Sequence, residues 1–519
     1  MKQSNGLRKK EINILDVRLD TKRSLRKADL FRKTNGGKIK FETLSENPYK
    51  IKKSSLTISD SNILQFKIDD SSLQDSLIKL KYLLTNTDIN LVKFGLCSVR
   101  KYLSKKTEDT HTFYIDHLLS IDIIGLFKSI LRTTAKDNQI NFEILWTLIN
   151  LTFYGTNQKN PFEYYSLLVD RDFIEIYNSL LKNDYTPNEI FNVLYQMLFN
   201  ITFEEKEVRK VIKTTDFIGN SIQLVGKGKV NHIVLECIYQ FLSNMTKDYD
   251  TMTQNEFEYF FNFFIAPIRI NDELNANKMI KCSIFALYNL SFNQSKEFLN
   301  KYLSFDILSK YLSFLNSITE YYEEENNVYL LKTITNMSDN LTIVKYLVEK
   351  GIIEVYKKLI NALMKENNSS QNVHVILNEI LITMGNTLCL DDQNVLEKVI
   401  SDDFMDNILK LCNAPMFRVR KSAIGVLNNL YSFCSKEILK DANKVIPVLI
   451  NQINCEIKEE IINLLVNIAC NIIINEKKLY QTSGAKNMLI NSGIEDIIDK
   501  TELSSFKEID KLRALLYSY

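Results

Sequence analysis

Short apolar segments with the spacing of a buried helix recur along the chain, and each carries an asparagine at the same position. The clearest is FEILWTLINLTFYGTNQ, residues 142–158, where Asn150 follows the only tryptophan, Trp146, by one helical turn. Seven further segments align on an asparagine in the same way. The eight aligned segments are LWTLINLT (Asn150), YQMLFNIT (Asn200), YQFLSNMT (Asn244), IFALYNLS (Asn289), LKTITNMS (Asn336), LITMGNTL (Asn386), IGVLNNLY (Asn429) and INLLVNIA (Asn467).

The spacing of these asparagines predicts a repeat protein. Successive residues lie 50, 44, 45, 47, 50, 43 and 38 positions apart, a period typical of HEAT and armadillo arrays with two or three helices per unit. One such unit cannot bury its apolar face alone, but stacked units can. Residues 91–105 resemble an earlier unit without the asparagine, and residues 493–519 fit a final cap. We therefore expect an all-α, right-handed armadillo-repeat solenoid of about ten repeats over residues 72–519.

Composition agrees with long helices and short connections. The chain has 14 Gly and 6 Pro in 519 residues, which argues against all-β and Rossmann-like folds. Eight cysteines include no CxxC pair, and the four histidines never group with cysteines at a metal-ligand spacing. No catalytic constellation, signal peptide or membrane-spanning run stands out. We expect a non-enzymatic protein without metal or cofactor, in a reducing compartment.

Charge is distributed unevenly along the chain. Residues 1–40 carry 13 basic and 4 acidic side chains, or +9, which leaves 52 basic and 59 acidic, or −7, for the rest. We expect a flexible basic arm over 1–40 and a flexible linker over 41–71. Within the arm, Leu25, Leu30 and Phe31 give the segment RSLRKADLFRKTN an amphipathic face. A disordered basic tail and a nucleic-acid-binding arm are the alternatives, although direct nucleic-acid binding is not expected.

The recurrent asparagine has two interpretations, because Asn is a mediocre helix former and a buried amide must find partners. Some of these residues could simply be satisfied within the core. Alternatively they form a ladder in which each amide, with one donor group and one acceptor, holds the backbone of an extended peptide. A tryptophan one turn earlier shares the same face and could pack against a Lys or Arg side chain, for about 0.5–2 kcal/mol.

These residues resemble importin-α, the adaptor family that binds nuclear localisation signals through an inner-helix WxxxN array. Residues 142–158 resemble its second repeat, 91–105 its first, LLKTITNMSDN with Lys332 its sixth, and 417–432 its eighth. The resemblance implies a major peptide site formed by Trp146, Asn150, Gly155, Thr156, Gln196, Asn200, Glu204, Gln240 and Asn244.

The chain departs from the family at most aromatic positions. Only Trp146 is retained; Gln196, Gln240, Phe285, Ile382 and Gly425 stand where the family has tryptophan. Glu204 replaces an aspartate. The sequence therefore predicts an altered major site and a degenerate minor site, of which Asn336, Asn386 and Asn429 remain.

The arm resembles the importin-β-binding segment of the same family. The matching residues, implied to bind importin-β and to fold back into the major site, are Arg23, Leu25, Arg26, Lys27, Arg32 and Lys33. Thr34 interrupts the second basic cluster, so weak self-inhibition is expected.

The resemblance implies an adaptor for nuclear import. Its partners would be importin-β, cargo proteins with basic localisation signals and a recycling export receptor, and it would shuttle between cytoplasm and nucleus. The alternative is an armadillo scaffold that binds another extended protein partner without import activity.

Overall fold

The computed structural model describes residues 68–517, apart from positions 69, 105–110, 135, 155–160, 271–277, 293–294, 305, 317–324, 366–370, 391–392, 401, 434–435, 456–457 and 501–506. Within this part of the chain every regular element is an α-helix or a short 3₁₀ helix, and no strand occurs. The basic arm and the first part of the predicted linker lie outside the described residues, so their limits at 40 and 71 stay predictions.

The helices belong to two compact units. The N-terminal unit contains the described residues up to Pro267, together with Lys278–Ala286. A 3₁₀ turn at Asp70–Ser72 precedes its first helix, and another, Thr246–Thr251, precedes α12. Its helices are α1 (Leu73–Leu84), α2 (Ile89–Ser104), α3 (His111–Ser120), α4 (Ile123–Thr133), α5 (Asn138–Tyr154), α6 (Pro161–Ser166), α7 (Arg171–Lys182), α8 (Asn188–Glu204), α9 (Lys206–Lys213), α10 (Phe217–Gly226) and α11 (His232–Met245).

Two helices cross the division between the units, α12 (Gln254–Ile270) at Pro267 and α13 (Lys278–Leu290) at Ala286. The C-terminal unit contains the remaining helices. They are α14 (Lys296–Ser304), α15 (Ile307–Asn316), α16 (Glu325–Met337), α17 (Leu341–Glu349), α18 (Ile352–Lys365), α19 (Gln371–Leu388), α20 (Gln393–Val399), α21 (Asp402–Cys412), α22 (Phe417–Ser432), α23 (Lys436–Lys440), α24 (Ala442–Cys455), α25 (Glu459–Tyr480), α26 (Gly484–Asn491), α27 (Ile494–Lys500) and α28 (Lys507–Tyr517).

The eight recurrent asparagines lie on eight separate helices, here called the ladder helices: α5, α8, α11, α13, α16, α19, α22 and α25. In the N-terminal unit α2, α5, α8 and α11 pack in succession. In the C-terminal unit α16, α19, α22, α25 and α28 do the same. The eight ladder helices, together with α2 and α28, make ten helices within the described residues. This number agrees with the expected number of about ten repeats.

Local sequence signals explain where many helices begin. Asp170 accepts a hydrogen bond from the backbone N–H of Phe173 (3.0 Å) at the start of α7. Asn231 accepts one from Val234 (3.0 Å) at the start of α11. Each bond satisfies a backbone donor that the first helical turn leaves without a partner. Within each unit, stacking of the repeats then buries the apolar faces of these helices. The buried side chains include large ones such as Tyr177 and Phe241.

None of the described helices combines the length and apolar character needed to cross a membrane.

Candidate binding face on the ladder helices

In the N-terminal unit two of the recurrent asparagines, Asn200 and Asn244, join one repeat to the one before. The amide nitrogen of Asn200 donates to the hydroxyl of Thr152 at 3.1 Å. The amide of Asn244 donates to the backbone oxygen of Phe199 at 3.2 Å and to the hydroxyl of Thr202 at 3.3 Å. Both asparagines are only 1 % exposed. Their N–H groups are therefore used inside the protein.

The C-terminal unit repeats this arrangement. Asn336 donates to the hydroxyl of Ser291 at 2.8 Å, and Asn386 donates to that of Ser338 at 2.8 Å. Asn429, whose preceding repeat has no serine two residues after the asparagine, donates instead to the backbone oxygen of Gly385 at 2.9 Å. All three asparagines are half-buried rather than enclosed. The asparagine ladder therefore continues in this unit as a set of links between repeats.

Each hydroxyl acceptor lies two residues after the asparagine of its own repeat. The hydroxyls also donate to carbonyls of their own helices, at 2.7 Å from Thr152, 2.6 Å from Thr202, 2.6 Å from Ser291 and 2.8 Å from Ser338. A hydroxyl has one donor and two acceptor lone pairs, so it can make both bonds at once. The tripeptides NLT, NIT, NLS and NMS carry this signal in the sequence, and it was missed when the asparagines were interpreted alone.

A buried ion pair makes a second link between repeats of the N-terminal unit. The guanidinium of Arg209 on α9 forms two bonds of 2.9 Å to the carboxylate of Asp248, and donates to the backbone oxygen of Thr202 at 2.7 Å. Arg209 is 5 % and Asp248 2 % exposed. Such a two-pronged pair is directional as well as strong.

The ring of Trp146, which was expected to pack against a basic side chain of a bound peptide, is covered by the protein itself. Trp146 is 3 % exposed. The guanidinium carbon of Arg100 lies 5.7 Å from the centre of its ring, and the Nε of Arg100 contacts a carboxylate oxygen of Glu143 at 2.6 Å. The position expected for a cargo cation is thus next to one of the chain's own arginines.

A second cation covers the next aromatic position. The ammonium of Lys247 lies 3.7 Å from the centre of the Phe203 ring and 5.8 Å from that of Phe285, which stands at a predicted tryptophan position. It also donates to the backbone oxygen of Phe203 at 2.7 Å. Neither Arg100 nor Lys247 was predicted as a site residue, because each lies against an aromatic ring that is far from it in the sequence.

Several atoms of the predicted major site are buried without a hydrogen-bond partner among the described residues. They are Nε1 of Trp146, Oε1 of Gln196 and Oδ1 of Asn200. The amide nitrogen of Gln196 donates to Asn192 at 2.8 Å. Asn150, in the first predicted asparagine position, donates to the backbone oxygen of Trp146 at 2.9 Å and is half-buried.

The other predicted residues are placed only in part. Gln240 is half-buried on α11, one turn before Asn244. Gly155, Thr156, the side chain of Glu204 and the arm residues Arg23, Leu25, Arg26, Lys27, Arg32 and Lys33 lie outside the described residues. Their roles, and peptide clamping by the asparagines, stay predictions.

The predicted minor site shows an open position. A Cβ atom built on Gly425 would meet no atom within 4 Å beyond the backbone of its own helix. In the same unit the ammonium of Lys332 lies 5.9 Å from the centre of the Tyr288 ring. Burial raises the pKa of the Glu379 carboxyl, on α19, above its ordinary value. No group of three metal-ligating side chains occurs within the residues that the structure describes.

Comparison with known proteins defines the fold class. No protein family and no curated protein matches this chain. A solved engineered protein is 16 % identical, with a TM-score of 0.63 over 85 % of this chain and 99 % of that one. A structure from work on a phosphorylation switch that controls the interaction between cadherin and β-catenin is 10 % identical, with a TM-score of 0.64 over 85 % of each chain. A designed armadillo-repeat protein for modular peptide recognition overlaps 50 % of this chain, with a TM-score of 0.39.

At these identities the likeness concerns the fold alone. The chain is an all-α protein with the armadillo-repeat solenoid fold, which confirms the fold expected from the period of its asparagines.

Proposed function

We propose that this protein is a scaffold that binds an extended segment of a partner protein along its ladder helices. The observation that carries the proposal is the pair of half-buried amides on the ladder helices of the N-terminal unit, Asn150 on α5 and Gln240 on α11. An amide side chain has donor and acceptor groups, so it can pair with the alternating C=O and N–H groups of an extended backbone.

The positions of these amides fit the same proposal. Asn150 is a ladder asparagine and Gln240 lies four residues before another, on helices α5 and α11 that both pack against α8. Residues four apart share a helix face, so both amides belong to the face of the ladder helices that carries the asparagines. The fold neighbour from the cadherin and β-catenin study is named for a protein–protein interaction, which is in line with a binding role.

Selection from a random library of twelve-residue peptides would test the proposal. The full chain should enrich peptides whose binding changes the emission of Trp146, the only tryptophan. Gln240→Leu removes one of the two amides and should weaken the enriched peptides about tenfold, the equivalent of one lost hydrogen bond. Gln223→Leu on α10, an exposed position away from the ladder helices, is the matched control and should change nothing. Failure to enrich any peptide, or equal affinity for Gln240→Leu, would contradict the proposal.

A nuclear import adaptor is the second candidate, and the observation that favours it is the basic arm, with its net charge of +9 and the segment RSLRKADLFRKTN. In this proposal Arg23, Leu25, Arg26, Lys27, Arg32 and Lys33 bind importin-β and compete for the groove. Cargo with a basic localisation signal and a recycling export receptor complete the cycle, and the protein shuttles between cytoplasm and nucleus.

Binding of importin-β separates the two candidates. An adaptor should bind purified importin-β, and Arg26→Ala with Lys27→Ala should weaken that binding strongly. A control substitution of Lys38 and Lys40, beyond the resembling segment, should have little effect. A scaffold without import activity should show no saturable binding in any variant.

A further inference from the structure

The aromatic rings at two predicted tryptophan positions, Trp146 and Phe285, already lie near cations from the same chain. One group, here called the Trp146 slot, consists of Trp146, Arg100 and Glu143. The other, the Phe285 slot, consists of Phe203, Phe285 and Lys247. All six residues belong to the N-terminal unit. In each slot the cation lies within the distance of about 6 Å at which a ring face attracts a positive charge.

The two cations are held by more than the rings. Arg100 is 8 % exposed and its partner Glu143 is 1 % exposed, so their charges neutralise each other inside the protein. Lys247 is fixed by its 2.7 Å bond to the backbone oxygen of Phe203. A lysine or arginine from a bound peptide would have to displace, at either ring, a cation that is already hydrogen-bonded.

We propose that these intramolecular cations close both slots, so that the groove selects an extended segment with neutral or acidic side chains and excludes lysine and arginine at the two slots. This inference rests on the proposed scaffold function and names the chemical class of its ligand. Backbone recognition by the half-buried amides of Asn150 and Gln240 does not use the slots, since neither residue belongs to them.

Three matched peptides test the inference. They share the backbone of an enriched twelve-residue peptide and differ only in having Lys, Gln or Glu at the residues that face the slots. With the full chain we expect the Gln and Glu peptides to bind at least tenfold more tightly than the Lys peptide. A tenfold or larger preference for the Lys peptide would overturn the inference and leave the proposed scaffold function intact.

Opening the slots should create affinity for the basic peptide. Lys247→Ala removes one cation, and Arg100→Ala is combined with Glu143→Gln so that the buried carboxylate of Glu143 is not left without its partner. Each change should raise the affinity of the Lys peptide about tenfold and leave the Gln peptide unchanged. Lys101→Met, an exposed lysine next to Arg100 on α2, is the control and should alter neither peptide. If the Lys peptide gains nothing in either opened variant, the slots are not the cause of selection.

Quenching of Trp146 by acrylamide provides a measurement that needs no peptide. We expect weak quenching in the full chain and at least twofold stronger quenching in the Arg100→Ala, Glu143→Gln variant, with the Lys101→Met variant unchanged. Equal quenching in all three proteins would overturn closure of the Trp146 slot. Absence of binding by every peptide would instead refute the scaffold function and the ligand class together, which distinguishes the two failures.

Discussion

The amide nitrogen of Asn200 lies 3.1 Å from the hydroxyl oxygen of Thr152, and these two residues connect successive repeats of the N-terminal unit. The same hydroxyl donates to the backbone oxygen of Ile149 at 2.7 Å. Both side chains are buried, so neither bond competes with water. The relation explains why a residue with modest helix propensity is repeated at one position of helix after helix: its amide fixes how one repeat stacks on the one before.

Removing this link should lower stability by a measurable amount. Asn200→Ala and Thr152→Val should each reduce the free energy of unfolding by about 1–2 kcal/mol, because each leaves a buried partner without its hydrogen bond. The double variant should lose less than the sum, with a coupling of about 1 kcal/mol. Urea unfolding followed by the emission of Trp146 reports on the same region. Asn443→Ala, at an exposed position of α24, is the control, and strictly additive losses would contradict a direct link.

The buried pair of Arg209 and Asp248 should matter far more than an exposed pair joining the same parts of the chain. Arg209→Met leaves the buried Asp248 without its partner and should cost about 3–5 kcal/mol. Lys206 and Asp250 form an exposed pair at 3.2 Å, so Lys206→Met should cost less than about 1 kcal/mol. Thermal unfolding of the two variants side by side makes the comparison. Similar losses would mean that burial does not govern the strength of this link.

Glu379 should make stability depend on pH in a defined direction. Burial raises the pKa of its carboxyl, so the fold favours the protonated form. Its contribution is fully present below the ordinary pKa of about 4.3 and is lost as the pH rises through the raised folded value. Glu379→Gln mimics the protonated form and should therefore be more stable than the natural chain at neutral pH, with the difference vanishing below about pH 4.

Urea midpoints measured across this pH range would test the behaviour of Glu379. Glu349→Gln, at an exposed position on α17, serves as the control and should change stability little at either end of the range. A Glu379→Gln variant that is less stable than the natural chain at neutral pH would show that the charged carboxylate is stabilising.

Two glycines close together in sequence should respond oppositely to alanine. Gly219 lies inside α10, and a Cβ there would meet no atom within 4 Å, so Gly219→Ala should stabilise the fold by about 0.5–1 kcal/mol. Gly228 has a φ of 64°, which disfavours a side chain, so Gly228→Ala should destabilise by about 1–2 kcal/mol. Unfolding midpoints of both variants provide the test. The same sign for both changes would be inconsistent with these backbone conformations.

Local pattern was sufficient to predict the helices and their repetition. The apolar segments around Asn150 and the later asparagines have helical spacing, and few glycines or prolines interrupt them. The period between the asparagines then specified the repeat class, since helices spaced in this way can bury their apolar faces only by stacking. These features depend on residues near one another in the chain, and for that reason they can be deduced without coordinates.

The use of the asparagine and aromatic side chains could not be deduced in this way. The sequence WTLIN is equally consistent with a Trp146 ring that contacts a cation of a bound peptide and with one that is covered by another side chain of the same chain. The choice depends on Arg100, 43 residues before its partner Glu143, and on Lys247, far from Phe203 and Phe285 in the chain. Likewise, an asparagine amide is equally able to bond a peptide or a threonine of the preceding repeat. Only the stacking of the repeats brings these distant groups within bonding distance, and the high cost of burying an unpaired amide or charge then decides which partner each one takes.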